Sequence, residues 1–436
     1  MTKPFVVIGG GPGGACAAAL LAGQGAPVVV IEKDQFPRHH VGESLQPATF
    51  TMLDRHLGLG PTLAAQGFAR KYGAVYVWGE NRDPWTVLFD QRLEQDLPTL
   101  DEAGLLGGGY EHAWQVERAR FDEILLTEAA RRGADVRFGG EVESVTFDGE
   151  RAAGVRLRSG EHIDAEAVID ASGQRGVIGK QLDLRRVVDD MRCVATYAYY
   201  DHMAGVPGPL SRHVQWVVSI DDGWCWFIPV SPTRTSVGVV SRQKGLMALE
   251  DFEQALRAAG FPLDGATRVP GPGQDGLRFA RDWSFTSSRF AGPGWWLVGD
   301  AACFVDPILS GGVDFAIRSG FRAGLAALRV SVGDEEPIAA AEAYDEQFRR
   351  EYKAYLRLAR YWYGNNRTVG GLFWEAHREI PPHAALTPLR AFVYLTTGRY
   401  AAERHLRVFQ EWQEKKMFRQ LGVDAEALRR ARATDR

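Results

Sequence analysis

The sequence is poor in cysteine. Cys16, Cys193, Cys225 and Cys303 are scattered through 436 residues with no C-x-x-C pair, which excludes a disulfide framework and a cysteine-based zinc site as first readings. The ten histidines contain no H-E-x-x-H or similar spaced ligand motif, so no metal centre is expected. Charge of one sign is also missing. With 51 basic and 55 acidic side chains the net charge is −4, and no global field recruits nucleic acid. No apolar run approaches the ~20 residues of a membrane span. The opening "MTKPFVVIGGG" enters a strand without a signal-peptide layout, and with the cysteine usage this gives the expectation of a reducing, cytoplasmic setting. No internal repeat or low-complexity tract stands out. What remains is an ordinary globular composition, 45% hydrophobic and 24% charged, at a length suited to about two or three domains. Glycine (49) and tryptophan (12) are the conspicuous residues, and both recur in the motifs.

Residues 4–34, "PFVVIGGGPGGACAAALLAGQGAPVVVIEKD", predict a βαβ unit: a buried strand, an Ala/Leu-rich helix and a second strand. Gly9, Gly11 and Gly14 fit G-x-G-x-x-G at the strand-to-helix turn. The first permits the tight turn, the second lets backbone approach a pyrophosphate, and the third lets helix pack on sheet. The helix N-terminus offers unpaired N–H groups to phosphate. Glu32, at the end of the second strand, is placed to accept hydrogen bonds from an adenosine ribose, which argues against NADP and leaves FAD or NAD.

Three later segments bear on that choice. Residues 112–138 read as a helix carrying Arg118 followed by a strand, and "AEAVIDASGQRG" as a strand ending in a Ser-Gly turn. "GWWLVGDAACFVDPILSGGVDFAIRSG" reads as a strand, an Asp (Asp300), a loop and a helix. This order resembles the FAD-dependent monooxygenase superfamily of the aromatic hydroxylase fold over about the first 330 residues. The resemblance implies that Asp300 meets the flavin, with Glu43, Ser44 and Arg118 close by. No second strand-to-helix turn opens on such a glycine fingerprint, so a dedicated NAD(P)H domain is not expected.

Within "DDGWCWFIPV", Trp224, Trp226 and Ile228 are spaced two apart and face one side of a predicted strand that Pro229 closes. Three further stretches accompany this W-x-W-x-I-P pattern: "FPRHHVGESLQP", "GFARKYGAVYVWG" and "YGNNRTVGGLFWEAHREI". In this order they resemble the flavin-dependent halogenases, the last in the manner of members acting on phenols and pyrroles. The resemblance implies a catalytic lysine at Lys71 and a flavin C4a-hydroperoxide that oxidises halide to hypohalous acid. It also implies a partition of Trp224, Trp226, Ile228 and Pro229 between flavin and substrate. Halide would bind at the backbone of Gly311 and Gly312, where a helix start favours an anion. The sequence departs from the family pattern there, with Gly311 in place of a usual Ser or Thr and Asp314 in place of a histidine. A carboxylate turned into the site would repel halide; a first-turn acid complementing the helix dipole would not. His39, His40 and His112 are near enough in sequence to be pocket candidates.

From about residue 335 the chain turns helical, rich in Ala, Glu, Arg and Tyr. Residues 349–367 interleave basic and aromatic side chains, either a solvated amphipathic face or a docking face for an acidic carrier protein. Tyr352, Tyr355, Trp362, Phe373 and Trp374 could line an aryl pocket or pack a core. The expected architecture is therefore α/β: a Rossmann-like FAD-binding βαβ domain with an inserted antiparallel substrate-side sheet (1–334, two interleaved subdomains) and a helical C-terminal extension (335–436). The expected activity is FADH2- and O2-dependent halogenation, chlorination before bromination, of a phenol or pyrrole that is free or tethered to a carrier protein. A separate flavin reductase would supply FADH2. The alternatives are an aromatic hydroxylase, a flavoenzyme resembling the geranylgeranyl reductases, and a non-catalytic flavin-fold binding protein.

Overall fold

The computed structural model describes residues 3–78, 82–89, 111–206, 210–221, 223–242, 248–271, 275–281, 283–364, 378 and 388–420. Phe5–Ile8 and Val28–Glu32 are buried along their whole length, as β-branched runs are in a parallel sheet covered on both faces. Phe5–Ile8 pairs in parallel with Val28–Glu32 on one side and Ala167–Asp170 on the other. Asp135–Phe138 and Trp295–Leu297 extend the sheet in parallel, and Ala291–Gly292 closes one edge antiparallel. The Pro12–Gly23 helix lies against the Gly312–Ser331 helix some three hundred residues later. A Cβ at Gly320 would stand 2.1 Å from the Gly13 carbonyl oxygen, so the two backbones touch where the sequence supplies glycine from both. Residues 112–138 differ from the expected helix and strand. Ala113–Gln115 is itself a strand, followed by the Arg118–Arg131 helix and the Asp135–Phe138 strand.

A second, eight-stranded sheet contains Val194–Asp201, Arg234–Ser241, Gly223–Pro229, Val214–Ile220, Gly73–Val77 and Trp85–Leu88 in that spatial order. It is mostly antiparallel, as expected of the substrate-side insertion, except that Gly73–Val77 runs parallel to Val214–Ile220. Strand alternation divides its side chains cleanly. Cys225, Phe227, Val237 and Val239 pack with Phe252 and Leu256 of the Leu249–Ala258 helix. Tyr197, Val217, Trp224 and Trp226 occupy the opposite face and join the core of the nucleotide-binding sheet. A small ladder of Ala69–Lys71 with Ala113–Gln115 sits beside this face, and Ser44 bridges to Gln115 from a third segment.

The C-terminal part contains the helices Pro337–Gly364, Pro388–Thr396 and Arg399–Gln420. Tyr344, Phe348, Tyr355, Leu358 and Trp362 of the first share the core of the nucleotide-binding sheet. A buried ionic cluster fixes that helix to Gly312–Ser331. Arg318 binds Asp314 at 2.6 Å and also Glu351, and Arg322 binds Glu351 at 2.6 Å. Residues 365–377 and 379–387, with most of the "YGNNRTVGGLFWEAHREI" stretch and the candidates Phe373 and Trp374, lie outside the described residues. Among the described residues no helix is long and apolar enough to cross a membrane.

Candidate active site

One cavity of about 580 Å³ runs from the glycine loop to the tryptophan face of the second sheet, with Gly11, Glu32, Arg38, Asp300, Trp224 and Trp226 among its lining. The three fingerprint glycines do different things. Gly9 has φ +97°, and a Cβ there would meet the Ala171 oxygen at 2.5 Å; at Gly14 it would meet the Gly9 oxygen at 2.0 Å. Those two serve the turn and helix packing. At Gly11 a Cβ would find within 4 Å only the Arg38 guanidinium, at 3.4 Å, so its bare side faces the cavity. Glu32 accepts from Gly10 N–H at 2.6 Å and from Asp34 N–H at 2.9 Å. Each carboxylate oxygen keeps a further lone pair for a ribose hydroxyl. Asp300 follows Gly299, whose φ of +55° makes the turn, and burial pushes its carboxyl up to about 6. The bare glycine backbone, a guanidinium above it, and acids at both ends fit an extended dinucleotide such as FAD.

The loop 36–47 forms the cavity's side wall and is held from behind. Arg118 pairs bidentately with Asp122 at 2.8 and 3.0 Å and donates to the Val41 carbonyl at 2.6 Å. Glu43 accepts from the Tyr199 hydroxyl, and also from Gly42 N–H at 3.1 Å. Ser44 and Ser310 both donate to Gln215 Oε1, at 2.5 and 2.8 Å. Gln46 donates to the Leu309 carbonyl at 3.0 Å. The loop is thus tied to the "PILSGG" turn at the Leu309 carbonyl, 263 residues from Gln46, and through the Gln215 side chain, 171 residues from Ser44, which Ser310 also reaches.

Trp224, Trp226 and Ile228 are buried and line the cavity, whereas Pro229 is buried at the strand end outside that lining. The indoles lie 5.9 Å apart between ring centroids at 49°, and Tyr197 continues the row 6.0 Å from Trp226. Trp226 Nε1–H donates to Ser236 at 3.1 Å and Trp224 Nε1–H to Tyr363 at 2.7 Å. Both indole donors are satisfied, so the rings are fixed in place.

Lys71 is 2% exposed and does not line this cavity. Its Nζ donates to the Leu45 carbonyl at 3.2 Å and lies 5.4 Å from the Phe89 ring centroid. Burial lowers its pKa to about 7. Ser44 faces the cavity while the next carbonyl, Leu45, receives the amine, so one backbone segment separates the two. Gly311 and Gly312 sit at the N-terminus of the 20-residue Gly312–Ser331 helix. They border a second cavity of about 20 Å³, shared with Asp300, Asp306, Tyr352 and Tyr355, which is room for about one water-sized occupant.

The chain matches the tryptophan halogenase family model over residues 4–101 and 98–434. It belongs to the flavin-dependent halogenase family. It is 32% identical over 395 residues to the tryptophan 2-halogenase of Chondromyces crocatus, covering 86% of this chain and 70% of that one. It is 31% identical over 333 residues to the 1H-pyrrole-2-carbonyl-[peptidyl-carrier protein] chlorinase of Pseudomonas fluorescens, covering 72% and 73%. The structure of the myxobacterial chondrochloren halogenase CndH superposes with a TM-score of 0.72 at 33% identity, covering 91% of this chain and 90% of that one. The protein is an FAD-dependent halogenase, a flavoprotein oxidoreductase.

Within this halogenase the remaining candidates divide by position. Asp314 is fully buried, pairs with Arg318 and accepts from Thr49 at 3.3 Å. It lines neither cavity. His39 and His40 line the large cavity, where His39 contacts the Tyr197 hydroxyl at 3.3 Å. His112 instead packs against Phe50 and Trp114. Trp362 stacks with Tyr76 and Trp85, at 4.8 and 5.8 Å. Sequence reasoning missed Arg38, Gln215 and Tyr363. The one signal for them in the sequence is the basic residue in "FPRHH", on the loop that the family resemblance places beside the flavin.

Proposed function

We propose that this halogenase installs chlorine, or bromine where bromide is supplied, on an electron-rich phenol or pyrrole, and that Lys71 delivers the halogen. The observation that carries this reading is the buried Lys71 amine, held near 7 by desolvation and set behind the segment that lines the flavin cavity. FAD, bound reduced and reacting with O2, supplies the oxidising equivalent that turns halide into hypohalous acid.

The chain's residues do the rest. Gly11, Glu32 and Arg38 would hold the adenosine and pyrophosphate, on the turn that Gly9 and Gly14 make possible. Asp300 meets the ring end, and Arg118, Glu43 and Ser44 fix the adjoining loop. The backbone of Gly311 and Gly312 presents a small cavity at a helix N-terminus, suited to a halide. Asp300 and Asp306 share that cavity with carboxyls already pushed up to about 6, and an anion would drive them further toward the neutral form. Trp224, Trp226 and Ile228 are a rigid apolar face that keeps an aromatic acceptor from the oxidant while a small hypohalous acid passes on. Near neutral pH a substantial fraction of Lys71 is uncharged, so its nitrogen can receive or orient the electrophilic halogen.

The relationship to the pyrrole-carrier chlorinase supports a pyrrole or carrier-tethered acceptor, and the tryptophan 2-halogenase makes an indole the comparison substrate. A separate reductase delivers FADH2. The test is incubation with reduced FAD, O2 and either halide against phenols, pyrrole acids, their carrier-loaded forms and tryptophan, read by isotope pattern. A halogenated phenol or pyrrole is expected. Turnover of tryptophan alone would overturn the substrate class, and an oxygenated, halogen-free product would overturn the Lys71 reading.

A further inference from the structure

Gln115 is 0% exposed, and neither its carboxamide oxygen nor its nitrogen has a hydrogen-bond partner. A buried amide with four unused bonding positions is costly unless something occupies them. Its surroundings indicate what that is. Gln115 stands opposite Ser44 on one neighbouring segment and opposite Ala69 on the other. Directly opposed residues project to the same side, as do residues two apart on one strand. Ser44, Gln115, Ala69 and Lys71 therefore share one face. Ser44 lines the flavin cavity. Lys71 crosses toward this row, since its Nζ reaches the Leu45 carbonyl at 3.2 Å. Gln115 lies between the residue that sees the flavin cavity and the amine that does not.

We propose that the Gln115 carboxamide is the receiving group for hypohalous acid on its way to Lys71, an inference that rests on the Lys71 reading above. Its Oε1 accepts the O–H of the acid and its Nε2–H donates to an oxygen alongside. The halogen end is left facing the Lys71 nitrogen. No bond is made or broken in this step; the two side chains hold and orient a small neutral molecule. A neutral amide suits the task, because an acid or base would titrate and a thioether would be oxidised.

The test is a single turnover with stoichiometric reduced FAD, O2 and bromide and no organic acceptor. A soluble trap for hypohalous acid added at timed intervals reads how long the protein retains oxidising halogen. Four proteins are compared: wild type, Lys71→Met, Gln115→Leu and Gln115→Glu. Gln115→Leu is expected to bind FAD and consume O2 as wild type does, yet to release halogen at least about tenfold faster, the worth of one good hydrogen bond. Gln115→Glu, isosteric and able to donate when protonated, is expected to recover part of the retention, more at low pH. Should Gln115→Leu fail to fold, Gln115→Asn must show the accelerated release instead. Wild-type retention in whichever of these two folds, with fast release from Lys71→Met, would overturn the role of Gln115 alone. Wild-type retention in Lys71→Met would overturn the Lys71 reading itself.

Discussion

Trp226 packs directly against Gly238. The two are opposed on neighbouring antiparallel strands, and a Cβ at position 238 would stand 2.3 Å from two carbons of the indole. The absence of a side chain at 238 is therefore what lets the ring lie against the sheet and face the flavin cavity. Gly238→Ala is expected to push the ring outward at an overpacking cost of about 1–3 kcal/mol. Thermal melting should show that loss, and halogenated product per O2 consumed should fall while FAD still binds. An unchanged melting point and coupling ratio would mean that the indole does not need this seat.

Lys71→Met replaces a buried amine by an apolar side chain of similar length. FAD binding and O2 consumption are expected to persist. Halogenated product should drop by roughly a hundredfold or more, the scale of losing a positioned catalytic group. Product formation at the wild-type rate would remove Lys71 from the mechanism.

The same amine makes two linked pH predictions. With its pKa lowered to about 7 by burial, it is protonated below that point, so halogenation per O2 consumed should rise as pH increases through about 7. Stability follows the unfolded chain, where lysine titrates near ~10.4. Between about 7 and that value the unfolded state binds the extra proton, so wild-type stability should rise with pH across this window and be flat below it. Denaturant melts of wild type against Lys71→Met measure the difference. A pH-independent difference would place the amine in water.

Arg38 is the nearest group to the bare face of Gly11. It is anchored to Asp122 at 3.2 Å and lies 4.7 Å from the centroid of the Phe36 ring, so its guanidinium is aimed before any ligand arrives. Arg38→Gln should weaken FAD binding by roughly ten- to a hundredfold, as expected for a charge-assisted contact to pyrophosphate. The wild-type affinity should be the more salt-sensitive of the two. Equal flavin titration curves at low salt would place Arg38 off the cofactor.

These residues also show what a linear sequence displays. The glycine fingerprint is legible because its spacing is a steric requirement of one local turn, and the tryptophan face because side chains alternate along a single strand. Asp314 was resolvable too, since Arg318 follows four residues later on the same helix. Lys71 was legible only through family resemblance, because burial of a lone lysine leaves no local mark. Gly238, Gln215 and Gln115 act through strand register and contacts far along the chain. The ladder joining Ala69–Lys71 to Ala113–Gln115 is short, so it leaves no periodic signal, and its Ala113–Gln115 strand is hidden in a stretch whose pattern predicts helix.

Trp224, Tyr363 and Asp306 form a chain from the wall to the C-terminal helix. The indole N–H donates to the Tyr363 oxygen at 2.7 Å, and that hydroxyl donates to Asp306 at 3.0 Å. Asp306 also accepts from Ile308 N–H at 2.9 Å, yet burial still pushes its carboxyl up to about 6. Tyr363→Phe removes one acceptor and one donor together. The stranded indole donor should cost about 1–3 kcal/mol, and the Asp306 pKa should climb further because its ionised form loses a hydrogen bond. A carboxyl raised in the folded state binds its proton there before the unfolded chain does. Wild-type stability should therefore decline as pH rises from about 4 to about 6, and in Tyr363→Phe the decline should extend to higher pH. Melting curves across that range give the shift, and Trp fluorescence reports whether the Trp224 ring has loosened. If the variant melts and titrates as wild type does, the wall is held by packing alone, and the helix that carries Tyr363 has no part in positioning it.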